Sequence, residues 1–433
     1  MDKRIIAVLL VVAIIIPIFL INYNFEEEKE ENKKPILEII YPYNGASVSK
    51  IVAIRGSAED PDGNNSLLEI ELKINDEWVL ANGNSQWNYE WNAYGIKEGY
   101  YTISVRAYDG KDYSEIEEVE VRVKNPITVE SDSHKWALFI AASNFPKNND
   151  TKLGNGPLNL AERMAEYFIE NLDYSTSNVM ILFDDGFIRA DNGYGEPIET
   201  LQERAHKYDI SYAAATKENV ELSIKYLIQE SNQFDDSEVF IWISSHGQGN
   251  QRQSITGGKI LESSAIFLWD EQLITDQELG ILLSGLRSRK TCIIVDACYS
   301  GGFADKTILN LPTFFLLKSG IPKSGRVVMT GTSKYRIGWS STTNGPLFSQ
   351  LWFDGLISGE ADGFRKGLFH TGRPTILKIF KDGKVSVEEA FYYARYTLKK
   401  EDIFNDYEKM EPQINDQYPV DGLILSSKGL ILG

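Results

Sequence analysis

Residues 291–302 read Thr-Cys-Ile-Ile-Val-Asp-Ala-Cys-Tyr-Ser-Gly-Gly, and their reading sets the fold. Cys292 to Val295 is a short apolar, β-branched run that suits a strand buried on both faces. Asp296-Ala297-Cys298 leaves that strand, and Ser300-Gly301-Gly302 forces a turn directly after it. A thiol at the mouth of a buried parallel strand stands where open α/β sheets place ligands and chemistry. Free cysteine is among the most buried residue types, and Cys292, inside the run, fits a core role. Cys298 does not, because two glycines and a serine follow where packing would need apolar bulk.

A second stretch answers the first. Glu238 to Ser245 (Glu-Val-Phe-Ile-Trp-Ile-Ser-Ser) reads as another buried strand and ends in His246-Gly247-Gln248-Gly249. His246 therefore also sits at the carboxyl end of a strand. The chain has 4 histidines; His134, His206 and His370 lie in polar or loop-like surroundings and read as solvated surface groups.

With both segments in view, a resemblance can be named. The region resembles the caspase, legumain, metacaspase and gingipain superfamily of cysteine peptidases. Ser245-His246-Gly247 and Asp296-Ala297-Cys298-Tyr299-Ser300-Gly301 match its two signature segments, and a histidine about 50 residues before the cysteine is the caspase spacing. Legumain-type members, including the catalytic subunit of the GPI transamidase, look nearest, through Leu182-Phe183-Asp184-Asp185-Gly186, Tyr208-Asp209-Ile210 and Thr216-Lys217-Glu218-Asn219.

The resemblance implies a dyad. Cys298 would be the nucleophile, His246 would protonate the leaving nitrogen, and the backbone N–H groups of Gly247 and Cys298 would hold the oxyanion. It places Asp296 in the primary specificity pocket, where a carboxylate favours arginine or lysine. Legumain carries an acid at the same place and prefers asparagine, so both readings stay open. Ser340 and Ser341 in Gly338-Trp339-Ser340-Ser341 match the paired serines lining the legumain pocket. An aspartate at a strand end also caps turns, which is the plain structural alternative for Asp296. A hydrolase, a transamidase sharing the acyl-enzyme, and an inert surface scaffold all remain compatible with these residues. No cofactor and no metal are expected. Asp184-Asp185-Gly186 is explained by turn chemistry, and Asp382 to Glu389 lacks the first half of a calcium loop, with Lys378 and Phe380 at the first and third ligand positions.

Composition narrows the partners. The 44 basic and 62 acidic residues leave a formal charge of −18, which argues against nucleic acid or anionic lipid as partner; a protein or peptide substrate is what the resemblance implies. Cys292 and Cys298 lie on one extended segment, on the order of 20 Å apart at ~3.3 Å per residue, too far for a disulfide.

At the N-terminus Lys3 and Arg4 precede the unbroken apolar run Ile5 to Ile21, at the lower length limit for a bilayer-spanning helix. No small-x-small cleavage site follows, so residues 1–24 read as an uncleaved signal anchor with the remainder facing outward from the cell membrane. Residues 25–34 form a charged linker. Residues 35–125 hold about seven runs of alternating apolar and charged positions, separated by turns at Asp60-Pro61-Asp62-Gly63, Asn82-Gly83 and Asp109-Gly110, which together predict an immunoglobulin-like β-sandwich. Trp78, Trp87 and Trp91 are expected to pack rather than to bind carbohydrate.

Residues 133–433 alternate strand and helix. Trp136–Ala142, Val179–Phe183 and Arg326–Thr330 read as further strands. Helices are predicted from Pro157, over 218–230, from the Thr275/Glu278 capping box to about 286, over 347–356 and over 386–398. The fold class is α/β, a caspase-like α/β/α sandwich with a mainly parallel sheet, and residues 185–215 form a long loop over its rim.

Overall fold

The computed structural model describes residues 32–42, 44, 47–48, 51–63, 69–74, 76–93, 96–97, 99–123, 133–145, 152–186, 188–198, 204–208, 210–253, 259–304, 320–365, 375–376, 381–400, 408–418 and 429–433. The apolar run Ile5 to Ile21 and His370 lie outside these residues. Among the described residues no helix is long and apolar enough to cross a membrane. The chain divides into two compact units.

The N-terminal region holds β1 (Ile36–Tyr41), β2 (Ser47–Val48), β3 (Ile51–Glu59), β4 (Glu69–Lys73), β5 (Val79–Leu80), β6 (Asn82–Gly83), β7 (Gln86–Asn92), β8 (Gly99–Tyr108) and β9 (Glu117–Val123). They form a four-stranded sheet in the order β1-β3-β7-β6 and a five-stranded one in the order β2-β9-β8-β4-β5. Alternation along β4 buries Ile70 and Leu72 and leaves their neighbours wetter. Trp87 and Trp91 are buried. Trp78 lies under the guanidinium of Arg106, 4.2 Å from its ring centre, with Lys73 5.0 Å away. Its ring therefore packs against two cations.

The α/β unit is organised on a seven-stranded sheet. Its strands are β10 (Lys135–Ala141), β11 (Val179–Phe183), β12 (Ser211–Ala213), β13 (Glu238–Ser244), β17 (Lys290–Asp296), β18 (Arg326–Thr330) and β23 (Gln413–Asp416). They lie in the order β12-β11-β10-β13-β17-β18-β23, with only β23 antiparallel to its neighbour. The sheet is buried on both faces, so its strands are near-continuous apolar runs, as a covered parallel sheet requires. Residue parity sorts the faces. Phe139, Phe240, Trp242, Cys292 and Ile294 belong to one core cluster, and Leu138, Ile241, Ile243, Ile293 and Val295 to the other.

On the first face pack α1 (Gly156–Asn171), α5 (Leu347–Ser358) and α6 (Val387–Lys400), and on the second α2 (Lys217–Ser231) and α3 (Asp276–Leu282). Helix α1 carries Pro157 in its first turn and buries Leu160, Met164 and Phe168. The capping box at α3 is formed: Glu278 N–H donates to Thr275 Oγ1 at 3.1 Å, and the Glu278 carboxylate accepts from Thr275 N–H at 2.8 Å. Helix α5 ends at Gly359, whose φ of 73° suits only a residue without a Cβ.

The sequence reading missed several strands. Residues 185–215 are not all loop, since Ser211–Ala213 adds β12 at the sheet edge, parallel to β11. A hairpin of β14 (Gly247–Gln253) and β15 (Lys259–Phe267) follows the histidine directly, with β16 (Leu273–Thr275) beside it. Its glycine- and glutamine-rich arm has no alternating apolar pattern to announce a strand. Beyond the cysteine, β19 (Ser340–Ser341) pairs antiparallel with β20 (Gly345–Pro346), which leads into α5, and β21 (Phe364–Arg365) pairs with β22 (Thr375–Ile376).

Candidate active site

Strands β13 and β17 are parallel neighbours with Ser244 paired to Asp296. His246 and Cys298 each lie two residues past that pair, so both leave the sheet at the same carboxyl edge. Gly247, the residue after His246, meets the Cys298 backbone: a Cβ built on Gly247 would stand 2.0 Å from the Cys298 carbonyl oxygen. Only glycine leaves room for the two strand ends to meet. The His246 ring packs beside Phe145, centroids 5.8 Å apart, and its carbonyl accepts from Phe267 N–H at 2.9 Å. Ser245 Oγ donates to the Phe267 carbonyl at 2.7 Å, so the first turn after β13 is fastened to β15.

The turn after Cys298 is held just as firmly. Tyr299 has a φ of 58°, sparsely populated for a residue with a side chain. Its N–H donates to Arg336 O at 2.8 Å. Thr332 Oγ1 donates to Ala297 O at 2.9 Å and accepts from Ser300 N–H at 3.2 Å, while Gly302 N–H donates to Ser264 Oγ at 2.9 Å. The short helix α4 (Gly301–Ala304) begins there.

Cys292 is fully buried in the core, and Cys298 is half-buried; both are free thiols. Gly338 N–H donates to Cys298 Sγ at 3.3 Å. Burial pushes the Cys298 thiol above its ordinary range, and the Asp296 carboxylate adds to this while the Gly338 N–H opposes it. The thiol rests protonated in this state, so a base must take its proton during reaction.

Asp296 is buried, and its Oδ2 accepts from both Ser349 N–H at 2.9 Å and Ser349 Oγ at 2.8 Å. Ser349 belongs to the first turn of α5, whose N–H groups lack intrahelical partners. Trp242 Nε1 in turn donates to Ser349 Oγ at 2.9 Å. Burial raises the Asp296 carboxyl to about 6, against the pull of the two Ser349 bonds. The aspartate is thus a cap, though for a helix distant in sequence rather than for its own turn.

The two serines differ. Ser341 Oγ accepts from Thr343 N–H and Asn344 N–H, both at 3.2 Å, and so holds its own turn. Ser340 Oγ is buried with no hydrogen-bond partner among the described residues. It lies two residues after Gly338, the donor to the thiol.

The other acidic and histidine candidates fall elsewhere. Asp184 accepts from Ser143 N–H at 2.6 Å and from Asn144 Nδ2 at 2.6 Å, tying β10's exit loop to the end of β11, and Asp185 pairs with Arg189 at 2.8 Å. Among the described residues no group of three or more His, Cys, Asp or Glu is placed to hold a metal ion. His134 meets Asp236 at 2.7 Å. His206 is not simply a solvated group: it stacks on Tyr212 with centroids 4.2 Å apart and lies 3.8 Å from Glu162. Gly338, Thr332, Ser264, Ser349 and Trp242 were invisible as site residues, because nothing in their local spacing connects them to a cysteine over 30 residues away.

A caspase-like α/β fold with a cysteine and a histidine at one sheet edge defines the class, and the comparisons agree. A caspase-domain family model matches residues 134–408; the chain belongs to that family, which supports a cysteine peptidase. A bacterial Ig domain model matches residues 35–105. Among solved structures, caspase-1 from Spodoptera frugiperda is similar at 12% identity over 66% of this chain and 87% of that one, with a TM-score of 0.35. The fibronectin(III)-like modules of Clostridium thermocellum CbhA match at 26% identity over 21% of this chain and 97% of theirs, TM-score 0.18. The endo-beta-1,4-mannanase from Thermotoga petrophila matches at 15% identity over 22% of this chain and only 21% of its own length, TM-score 0.19. No curated protein matches the chain.

Proposed function

We propose that the protein is a cysteine endopeptidase working through a Cys298–His246 dyad, held at the outer face of the cell membrane by residues 1–24. The observation that carries the dyad is the contact of Gly247 with the Cys298 backbone, at the ends of paired parallel strands. His246 takes the thiol proton, the thiolate attacks the scissile carbonyl, and the Gly247 and Cys298 N–H groups receive the oxyanion. His246 then returns the proton to the leaving amine, and water hydrolyses the acyl-enzyme. Asp296 and Ser340 serve the primary specificity pocket and favour a basic residue over asparagine. The β unit at 35–125 acts as a spacer or substrate-docking module, a role supported by the bacterial Ig match.

Acyloxymethyl ketone probes bearing lysine, arginine, asparagine or aspartate test the assignment in the full chain. Labelling that disappears in Cys298→Ala and in His246→Ala is the expected result. Absence of labelling by every probe in folded protein returns the domain to an inert scaffold. Protease shaving of intact cells, with fractionation, tests the anchor: the catalytic domain should be released while a short N-terminal stub stays in the membrane fraction.

A further inference from the structure

We propose that Ser264 is a positioning residue for the dyad: its hydroxyl closes the turn after Cys298, and its strand fixes that turn against the segment carrying His246. The proposal rests on the peptidase reading above and names a residue, outside both signature segments, on which that chemistry depends. The Ser264 hydroxyl is buried and used in both directions. Its Oγ donates to the Tyr299 carbonyl at 2.5 Å and accepts from Gly302 N–H at 2.9 Å. A carbonyl only accepts and an N–H only donates, so the hydroxyl proton has one orientation. Tyr299, with its φ of 58°, occupies a region that a residue with a side chain keeps only where its surroundings impose it. Thr332 and Arg336 hold the turn from the β18 side, and Ser264 holds it from the other.

That other side is the histidine's. Strand β15 carries Ser264 and, three residues on, Phe267, whose N–H donates to His246 O and whose carbonyl accepts from Ser245 Oγ. Three extended residues span about 10 Å, so one strand grips the histidine segment at one point and the cysteine turn at another. Ser264 is itself fixed, since its N–H donates at 3.1 Å to Oδ2 of Asp276, a buried carboxylate in the first turn of α3. Gly302 lies against both groups: a Cβ there would stand 2.4 Å from Asp276 Oδ2 and 2.5 Å from Ser264 Oγ. Without the hydroxyl, the Tyr299 carbonyl and the Gly302 N–H lose a shared partner in a buried place, and the turn is released from its left-handed conformation. Cys298, one residue away, then shifts relative to His246, and a displacement of about 1 Å between reacting groups costs on the order of a hundredfold in rate.

The test measures kcat and KM in the full chain for fluorogenic peptides with lysine, arginine, asparagine or aspartate at the cleaved position. Each kcat is divided by the number of sites labelled to completion with the matching acyloxymethyl ketone. Ser264→Ala should lower kcat per labelled site about tenfold or more and leave KM nearly unchanged. A role in folding alone would instead lower the labelled fraction and keep kcat per labelled site native, and that result overturns the proposal. Ser264→Thr keeps the hydroxyl and should restore most of the loss; a threonine variant as slow as the alanine one also overturns it. If Ser264→Ala yields no folded protein, Asp276→Asn takes its place: it weakens the acceptor for Ser264 N–H and should lower kcat per labelled site in the same sense, and a native value there overturns the proposal. No cleavage and no labelling by the native protein overturns the peptidase reading and this one with it, whereas an active native protein with an unchanged Ser264→Ala overturns this one alone.

Discussion

At the scale of single residues, chemistry and packing are hard to separate around Cys298. Gly247→Ala places a methyl group against the Cys298 carbonyl and displaces a proposed oxyanion donor. Turnover should drop about a hundredfold, and the melting temperature should fall too because the backbone must shift to admit the methyl group; a variant of full activity would remove Gly247 from the site. His246→Ala should cost a similar factor or more, measured as single-turnover acylation. Asp296 gives a pH signature. Its carboxyl sits at about 6, so below that pH it is protonated and cannot pair with an ammonium. The ratio of kcat/KM for lysine over asparagine peptides should therefore fall as pH drops from 7 to 5. Taking a ratio cancels pH effects common to both peptides, and a flat ratio would detach Asp296 from the pocket. Cys298, His246 and Gly247 could be found in the sequence because each sits beside its own strand, where glycines break the apolar pattern. Ser349 and Trp242 could not, since a serine in a helix and a tryptophan in a strand look like ordinary packing residues.

At the scale of elements, ends matter more than middles. Helix α3 is fixed by its Thr275/Glu278 box, so Thr275→Ala should destabilise the unit by about 1 kcal/mol, read from denaturant unfolding. Helix α5 has Pro346 before its first residue and no side-chain cap of its own. Its first turn is capped from another strand by Asp296. Local chemistry announced the first cap and was silent about the second. The same contrast explains the strands. β13 and β17 are apolar along their whole length because helices cover both faces, so they were legible. β12, β14 and β23 owe their conformation to a neighbour offering hydrogen bonds, and no local pattern reports that.

At the scale of the whole molecule, burial of carboxyls dominates the pH response. Burial raises Asp296 to about 6, Asp184 to about 7 and, with Asp416 nearby, Glu388 to about 8. Each of these groups binds its proton more tightly folded than unfolded. Their contribution to stability is complete below the unfolded carboxylate range near about 4 and is lost as pH rises through the folded values. The melting temperature should thus decline between about pH 4 and about pH 8. Glu388→Gln should flatten the upper part of that decline; an unchanged slope would show that Glu388 is not its source. The net charge of −18 acts in the same direction, since self-repulsion grows as the last carboxyls ionise.

By itself the sequence determined the α/β class, the order of its main strands and helices, and the pair His246 and Cys298. Periodicity and glycine punctuation are local properties, and every one of those features is written within about ten residues of chain. Only the tertiary structure decided that Gly247 meets the Cys298 backbone, that Ser340 rather than Ser341 keeps a vacant hydroxyl, and that Asp296 is gripped by the first turn of a helix beginning some fifty residues later. These are contacts between segments remote in sequence, set by parallel strand register and by which N–H groups a helix end leaves without partners.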